Sequence, residues 1–191
     1  IDTQTLCNHA YTMAVEALNA TRNVLDPEAV DHAATLLQRA RQVFCLGQGG
    51  SQVLAGDIWA RFSMLSTKFR TAGDSHMQAI TASLMGPEDV VLFISYSGCT
   101  RDMMDTLHIA KDNGAKVILV THYDDAPGAA LADVVLLCGA TESPLDSGSI
   151  PAKLAMLFVA NVLVLRYTLD NQELANLSLS RTSQALGNKL L

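Results

Sequence analysis

The chain has 191 residues, of which 49% are hydrophobic and 17% are charged, and its net charge is −6. This composition excludes disorder and collagen-like repeats, and a chain of this length buries roughly 70% of its unfolded surface without help from metal or disulfides. The acidic balance argues against nucleic-acid binding by this chain itself, because such binding requires cations that neutralise phosphates.

No apolar run reaches the roughly 20 residues that a membrane-spanning helix needs. The longest, residues 154–165, is interrupted by Asn161, and no signal peptide is visible. The four cysteines have no CxxC spacing, so we predict reduced thiols in the cytoplasm, with Cys45 and Cys138 buried and inert. Because the first residue is Ile1 rather than Met, we expect further sequence upstream.

Two helices are predicted at the start of the chain. Residues 3–24 carry alanine and leucine at helical spacing. The second helix begins at Asp26-Pro27-Glu28, which combines an N-cap, a proline in the first turn and an acid near the positive end of the helix, and it runs to about Arg41.

Short apolar runs without polar alternation then predict strands that are buried on both faces, as in a parallel sheet covered by helices. The four clear runs are 43–46, 90–94, 117–120 and 134–137, and a weaker run at 68–71 predicts a fifth strand nearer an edge. Helices are predicted between and after them at 52–65, 75–84, 100–113, 127–131 and 151–168, followed by a polar helical tail.

This alternation predicts an α/β fold, a three-layer, doubly wound sandwich with a five-stranded parallel sheet flanked by helices. We expect one domain over residues 1–191, in which 1–41 are linking helices and 42–191 are the α/β core with its C-terminal helices. The apolar helices at both ends predict a homodimer or tetramer with sites near the interface.

Ligands of open α/β sheets bind beyond the carboxyl ends of the strands. There the loop 95–100, Ser-Tyr-Ser-Gly-Cys-Thr, combines three hydroxyl groups with the start of a helix. Ser95, Ser97 and Thr100 can donate to a phosphate, Gly98 permits a tight turn, and the helix N-terminus favours an anion. The alternative is an ordinary helix cap after a strand.

A second loop, Gly47-Gln48-Gly49-Gly50-Ser51, follows the first strand. It departs from the dinucleotide-binding Gly-x-Gly-x-x-Gly pattern because Gln52 stands at the third glycine, and it has no Walker lysine, which argues against an ATPase. We predict that Gly47 and Gly49 let the backbone approach a ligand, with Ser51 as a further hydroxyl. The histidines have no metal-ligand spacing, and no cofactor is predicted.

These two loops make the chain resemble sugar isomerase (SIS) domains, which bind phosphorylated sugars with the Ser/Thr loop around the phosphate. The segments 74–78, 86–101 and 110–118 are further similar to the effector-binding domain of RpiR-type bacterial transcriptional regulators. That resemblance implies a sugar-phosphate sensor without turnover, whose N-terminal helix-turn-helix domain, the only part to contact DNA, is absent from this chain.

The resemblance also implies further ligand contacts, from Glu142 and from the segment around His76. One departure is that regulators of this type have a Ser-Arg pair before the last core helix, whereas here Ser149 is followed by Ile150. Lys153 and Arg101 are candidates for the missing cation. Arg101, one residue into the helix after the loop, either closes over the anion or is an ordinary surface charge.

Two other functions remain open from the sequence. One is a stand-alone aldose–ketose isomerase, in which His76 would move protons between sugar oxygens and Glu142 would be the base. The other is a dimerisation module without a ligand, in which case the hydroxyl-rich loop would have no binding role.

Overall fold

In the computed structural model, the chain forms a three-layer α/β/α sandwich, which confirms the predicted fold class. The structure describes residues 1–140, 148–187 and 189. The helices are α1 (Thr3–Val24), α2 (Pro27–Arg39), α3 (Gly50–Ser63), α4 (Ser75–Ser83), α5 (Arg101–Asp112), α6 (Pro127–Leu131), α7 (Ile150–Asp170) and α8 (Gln172–Gly187). The strands are β1 (Gln42–Gly47), β2 (Phe69–Thr71), β3 (Asp89–Ile94), β4 (Lys116–Thr121) and β5 (Val134–Leu137).

All neighbouring strands are parallel, in the order β2-β1-β3-β4-β5. The weak strand β2 lies at an edge, as predicted. The central strand β3 is buried along its whole length, which explains why its sequence shows no polar alternation.

The two faces of the sheet have separate cores. One core joins the sheet to α1, α2, α3 and α7, and the other joins it to α4 and α5 with α6 alongside. The helices that follow β1 and β3 therefore leave the sheet on opposite faces. Their loops diverge at the carboxyl ends of two adjacent strands, which is where an open sheet forms a ligand crevice.

Helix α7 packs against α1, α2 and α3 and carries seven buried residues, among them Ala155, Val159 and Leu163. By length and composition alone this helix could cross a membrane, although none of the uninterrupted apolar runs within it is long enough. Its contacts with the sheet and the neighbouring helices bury the inward-facing part of that apolar surface, whereas Leu165 and Leu169 are exposed.

The observed α3 begins two residues earlier than predicted, at Gly50. The reason is Gly49, which has a φ of +55° and turns the chain directly from β1 into the helix. This early start places the first turn of α3 beside the end of β3.

Candidate functional site

A cleft of about 200 Å³ lies at the carboxyl ends of β1 and β3. The loop after β1 contributes Gly50 and Ser51, and the loop after β3 contributes Ser95, Ser97 and Thr100. The structure thus brings together all four hydroxyl groups that the sequence proposed as donors to a phosphate.

The hydroxyls in the loop after β3 have different surroundings. Ser95 is buried, and its Oγ accepts a hydrogen bond from the Gly98 N–H at 3.1 Å, which closes the turn and leaves the hydroxyl hydrogen to donate elsewhere. The half-buried Ser97 hydroxyl has no hydrogen bond to the described residues. Ser97 is therefore available to a ligand without first breaking a contact.

Thr100 is the N-cap residue of α5, but its side chain makes no capping hydrogen bond. Its hydroxyl instead donates to Gln48 Oε1 at 2.9 Å, across to the loop after β1. An ordinary capping threonine would turn its oxygen to the helix N–H groups. The first turn of α5 therefore keeps N–H groups that no side chain caps, beside the cleft and at the positive end of the helix dipole.

Gly47 and Gly98 give the two loops their shape. A Cβ on Gly47 would lie 2.5 Å from the Ser51 carbonyl oxygen, and one on Gly98, whose φ is +62°, would lie 2.7 Å from Ala126 Cβ. Neither position has room for a side chain. Gly47 and Gly49 border a second recess next to the cleft rather than the cleft itself.

Lys153 supplies a cation to the cleft from the first turn of α7. Its side chain packs over Gly50, since a Cβ there would lie 3.6 Å from Lys153 Cε and 3.9 Å from Nζ. Among the described residues no carboxylate pairs with Lys153. A half-buried, unpaired ammonium beside several hydroxyls is suited to holding an anion.

Arg101, the other cation considered from the sequence, is exposed and does not line the cleft. His76 is exposed on α4 and borders neither the cleft nor the adjoining recess. Glu142 lies outside the described residues. No group of His, Cys, Asp or Glu within the described part of the chain is arranged to hold a metal ion.

Tyr96, which the sequence reasoning passed over, lines the cleft between the two serines. Its hydroxyl donates to the Ala140 carbonyl at 2.8 Å, and its ring stacks on His122 at 5.0 Å between centroids. The His122 Nδ1 lies 2.8 Å from the Cys138 carbonyl oxygen and must be protonated to donate to it. The loop after β3 is thereby tied to the chain that leaves β5.

Gln78 was also not identified from the sequence, and it holds the loop after β1 through hydrogen bonds from α4. It is fully buried on α4, and its Nε2 lies 2.7 Å from the Gly47 carbonyl oxygen and 3.1 Å from Gln52 Oε1. A glutamine on a short helix gives no sequence signal for this role, because the contact depends on how α4 packs below β1.

The SIS domain profile matches residues 36–166, which include every described residue of the cleft. The chain belongs to the SIS domain family. It is 28% identical over 179 residues to the HTH-type transcriptional regulator RpiR of Escherichia coli K12, covering 94% of this chain and 60% of that regulator. It therefore spans about three fifths of that relative, which is longer.

Solved structures give the same result for the fold. The sugar isomerase domain of an RpiR transcription factor from Sphaerobacter thermophilus superposes with a TM-score of 0.85 at 26% identity, covering 94% of this chain and 98% of that one. The Vibrio vulnificus NanR protein, solved in complex with ManNAc-6P, superposes with a TM-score of 0.92 at 22% identity, covering 97% of this chain and 70% of that one. The predicted resemblance to SIS domains of RpiR-type regulators is confirmed.

Proposed function

We propose that this SIS domain is the effector-binding part of an RpiR-type transcriptional regulator and that it binds a phosphorylated sugar. The observation that carries the proposal is the cleft itself, where Lys153 and the hydroxyls of Ser51, Ser95, Ser97 and Thr100 meet beside the N-terminus of α5. This is the donor set of a phosphate site. Two similarities support it: the relatives are HTH-type regulators, and NanR was solved with ManNAc-6P.

We further propose binding without turnover. The described residues of the cleft include no histidine, aspartate or glutamate, and the exposed His76 lies outside the cleft. An aldose–ketose isomerase needs an acid–base pair at the sugar carbons. Among the described residues that line the cleft there is one cation, several hydroxyls and no such pair, and the relatives are transcriptional regulators, so we favour a sensor. We place it in the cytoplasm, with DNA contacted only by a helix-turn-helix domain on the full-length protein.

In this proposal, α1 transmits effector binding to the DNA-binding domain. The Gly139 N–H donates to Thr21 Oγ1 on α1 at 3.1 Å, and the neighbouring Ala140 accepts from Tyr96 in the cleft. This route joins the phosphate loop to α1 through two hydrogen bonds. For the effector to act along it, the effector must bind the two states of the regulator unequally.

Residues 3–13 of α1 are all exposed and include the apolar Leu6, Tyr11 and Met13. A helical segment of this length without packing contacts is only marginally stable in water. We therefore propose that these residues pack against a second copy of the chain, as a homodimer or within a tetramer.

A thermal-shift screen with sugar phosphates tests the ligand class. A ligand that binds only the folded chain raises the melting temperature, by about 5–10 °C at a hundred times its dissociation constant for a domain of this size. We expect such a shift for a phosphorylated sugar and none for the free sugar. Ser97→Ala should reduce the shift, because it removes a donor that has no other hydrogen bond.

The control for this screen is Ser180→Ala, which removes an exposed hydroxyl on α8 far from the cleft. It should leave the shift intact. If no phosphorylated compound shifts the melting temperature at millimolar concentration, the phosphate site is wrong. Conversion of the bound sugar phosphate in the same sample would instead identify an isomerase.

Cysteine labelling tests the location of the site without any substitution. Cys99 lies in the phosphate loop and is exposed, as is Cys7, whereas Cys45 and Cys138 are buried. Burial raises the pKa of the Cys45 thiol to about 12, so it should not react in the folded chain. We expect iodoacetamide to modify Cys99 quickly and Cys45 not at all, as followed by peptide mass spectrometry.

Bound phosphate should then slow the alkylation of Cys99, because a ligand beside the loop hinders access of the reagent. The same measurement with the free sugar is the control and should give an unchanged rate at Cys99. Equal rates at Cys99 with and without saturating ligand would place the ligand elsewhere on the chain.

A further inference from the structure

The chain that leaves β5 lies directly against the backbone of α1. Its first three residues, Cys138–Ala140, are called the strap here. A Cβ on Gly139 would lie 2.4 Å from the carbonyl carbon and oxygen of Ala20 and 2.7 Å from the Thr21 nitrogen. Gly139 does not have a left-handed backbone, so glycine is needed at this position for the close approach alone. A displacement of the strap toward α1 must therefore push α1.

Thr21 joins the same two segments by hydrogen bonds. It is fully buried, and its hydroxyl donates to the Ala17 carbonyl at 2.7 Å while accepting from the Gly139 N–H at 3.1 Å. A displacement of the strap away from α1 would break the second bond and leave its donor unpaired, which costs free energy. The strap and α1 are thus coupled in both directions, by contact on approach and by a hydrogen bond on separation.

The other side of the strap is held by two stacked rings. The Tyr96 hydroxyl donates to the Ala140 carbonyl at 2.8 Å, and His122 Nδ1 lies 2.8 Å from the Cys138 carbonyl oxygen. The two rings are parallel within 2° and 5.0 Å apart between centroids. The carbonyls on both sides of Gly139 are therefore bound to one aromatic pair.

This aromatic pair is also attached to the loop that is proposed to hold the phosphate. Tyr96 stands between Ser95 and Ser97, so a shift of either serine backbone shifts Tyr96. The His122 N–H and the Thr121 hydroxyl both donate to the Tyr96 carbonyl at 3.0 Å, so the second ring follows the first. Close-packed contacts of this kind transmit small displacements.

Helix α1 has space to respond to such a displacement. A cavity of about 140 Å³ lies between α1 and the strap on the N-terminal side of Thr21, bordered by Met13, Ala17 and Ala140. Residues 3–13 of α1 are all exposed and extend about 16 Å along the helix axis. A small rotation of α1 at Thr21 therefore becomes a larger displacement at its N-terminal end.

We propose that Gly139 is the point at which effector binding acts on α1. The inference rests on the proposed function, in which a phosphate occupies the cleft. An anion bound by Ser95 and Ser97 fixes the loop 95–100, the stacked rings fix the strap relative to that loop, and the strap fixes α1. Helix α1 then has two states, held against the strap when the cleft is occupied and able to pivot when it is not, and the effector favours the first.

Hydrogen–deuterium exchange tests this coupling, with titration calorimetry in parallel to measure binding. The probes are inorganic phosphate and a panel of pentose 5-phosphates and hexose 6-phosphates that includes ManNAc-6P. The readout is the coupling ratio, defined as the factor by which the saturating, tightest-binding probe slows amide exchange in residues 14–24, divided by the same factor for α2. Helix α2 is the reference because it packs in the same core, so the division removes any general stabilisation by the ligand.

We expect a coupling ratio of about five or more for the unmodified chain, the lower end of usual allosteric coupling. Thr21→Val keeps the branched shape of the side chain and removes the acceptor of the Gly139 N–H. His122→Phe keeps a ring for stacking and removes the donor to the Cys138 carbonyl. Each should bring the ratio close to one while the probe still binds.

Thr168→Val is the matched control. The Thr168 hydroxyl on α7 donates to the Val164 carbonyl one turn earlier at 2.8 Å, as the Thr21 hydroxyl does within α1, but it has no bond to the strap. This variant should keep the coupling ratio of the unmodified chain.

The outcomes separate the coupling from the proposed function. If no probe binds the unmodified chain, the proposed function is wrong. If a probe binds but the coupling ratio of the unmodified chain is close to one, the phosphate cleft stands and the coupling proposal is wrong. The same conclusion follows if Thr21→Val and His122→Phe leave the ratio unchanged, because a purely structural role would speed exchange equally with and without the probe.

Discussion

Replacing Lys153 with Gln should weaken sugar-phosphate binding by about tenfold to a hundredfold, the range for losing a hydrogen bond to a charged group. Lys153 is the cation that lines the described part of the cleft, and it packs over Gly50 with no carboxylate partner among the described residues. Glutamine keeps a polar side chain, one atom shorter, and removes the charge. Titration calorimetry of each variant with a sugar phosphate measures the change.

Arg101→Gln is the matched control, since Arg101 carries the same charge near the same loop but is exposed outside the cleft. It should change the affinity by less than about threefold, because an exposed charge acts through solvent. Raising the salt concentration should shrink even that effect. A larger loss for Arg101→Gln than for Lys153→Gln would mean that the cation beside the phosphate has been misassigned.

Gly47→Ala should destabilise the fold by about 1–3 kcal/mol, the usual cost of overpacking, and should also disrupt the cleft. The added Cβ would lie 2.5 Å from the Ser51 carbonyl oxygen and 2.7 Å from its carbon. Those atoms are backbone in the first turn of α3, so relief requires the helix start to move away from β1. Urea unfolding measures the free energy, and ligand titration measures the cleft.

Gly56→Ala, in the helix that a Cβ on Gly47 would contact, should have the opposite effect on stability. Gly56 lies in the middle of α3, and a Cβ there meets nothing within 4 Å. Alanine should stabilise the chain by about 0.5–1 kcal/mol, because glycine is a poor residue in a helix interior. If both substitutions were equally destabilising, a contact on α3 other than the Ser51 backbone would be responsible.

The α/β class and the location of the hydroxyl-rich loop 95–100 could be predicted from local sequence. Uninterrupted apolar runs such as 90–94 require burial on both faces, and burial on both faces requires a parallel sheet with helices on each side. In such a sheet all carboxyl ends lie at one edge, so residues after different strands meet. That is why Ser51 and the 95–100 loop could be assigned to one site before their geometry was known.

The contributions of Tyr96 and Gln78 could not be predicted in the same way, and the sequence left the choice between Lys153 and Arg101 open. Lys153 reaches the cleft because α7 returns over the sheet and places its first turn beside Gly50. Gln78 reaches the Gly47 carbonyl because α4 lies below that loop. Each contact joins segments far apart in the chain, and the local sequence around these residues does not predict which distant segment they contact.

The sequence by itself determined the strands, the turns at their ends and the donors in the loops, because backbone preference and the pattern of apolar residues are local properties. The tertiary structure alone decided the strand order β2-β1-β3-β4-β5, the position of Lys153 in the cleft with Arg101 outside it, and the unpaired amides of Gln48 and Gln78 beside a second recess. These features depend on how whole helices pack on the two faces of the sheet, because contacts between segments far apart in the chain determine which side chains are buried there.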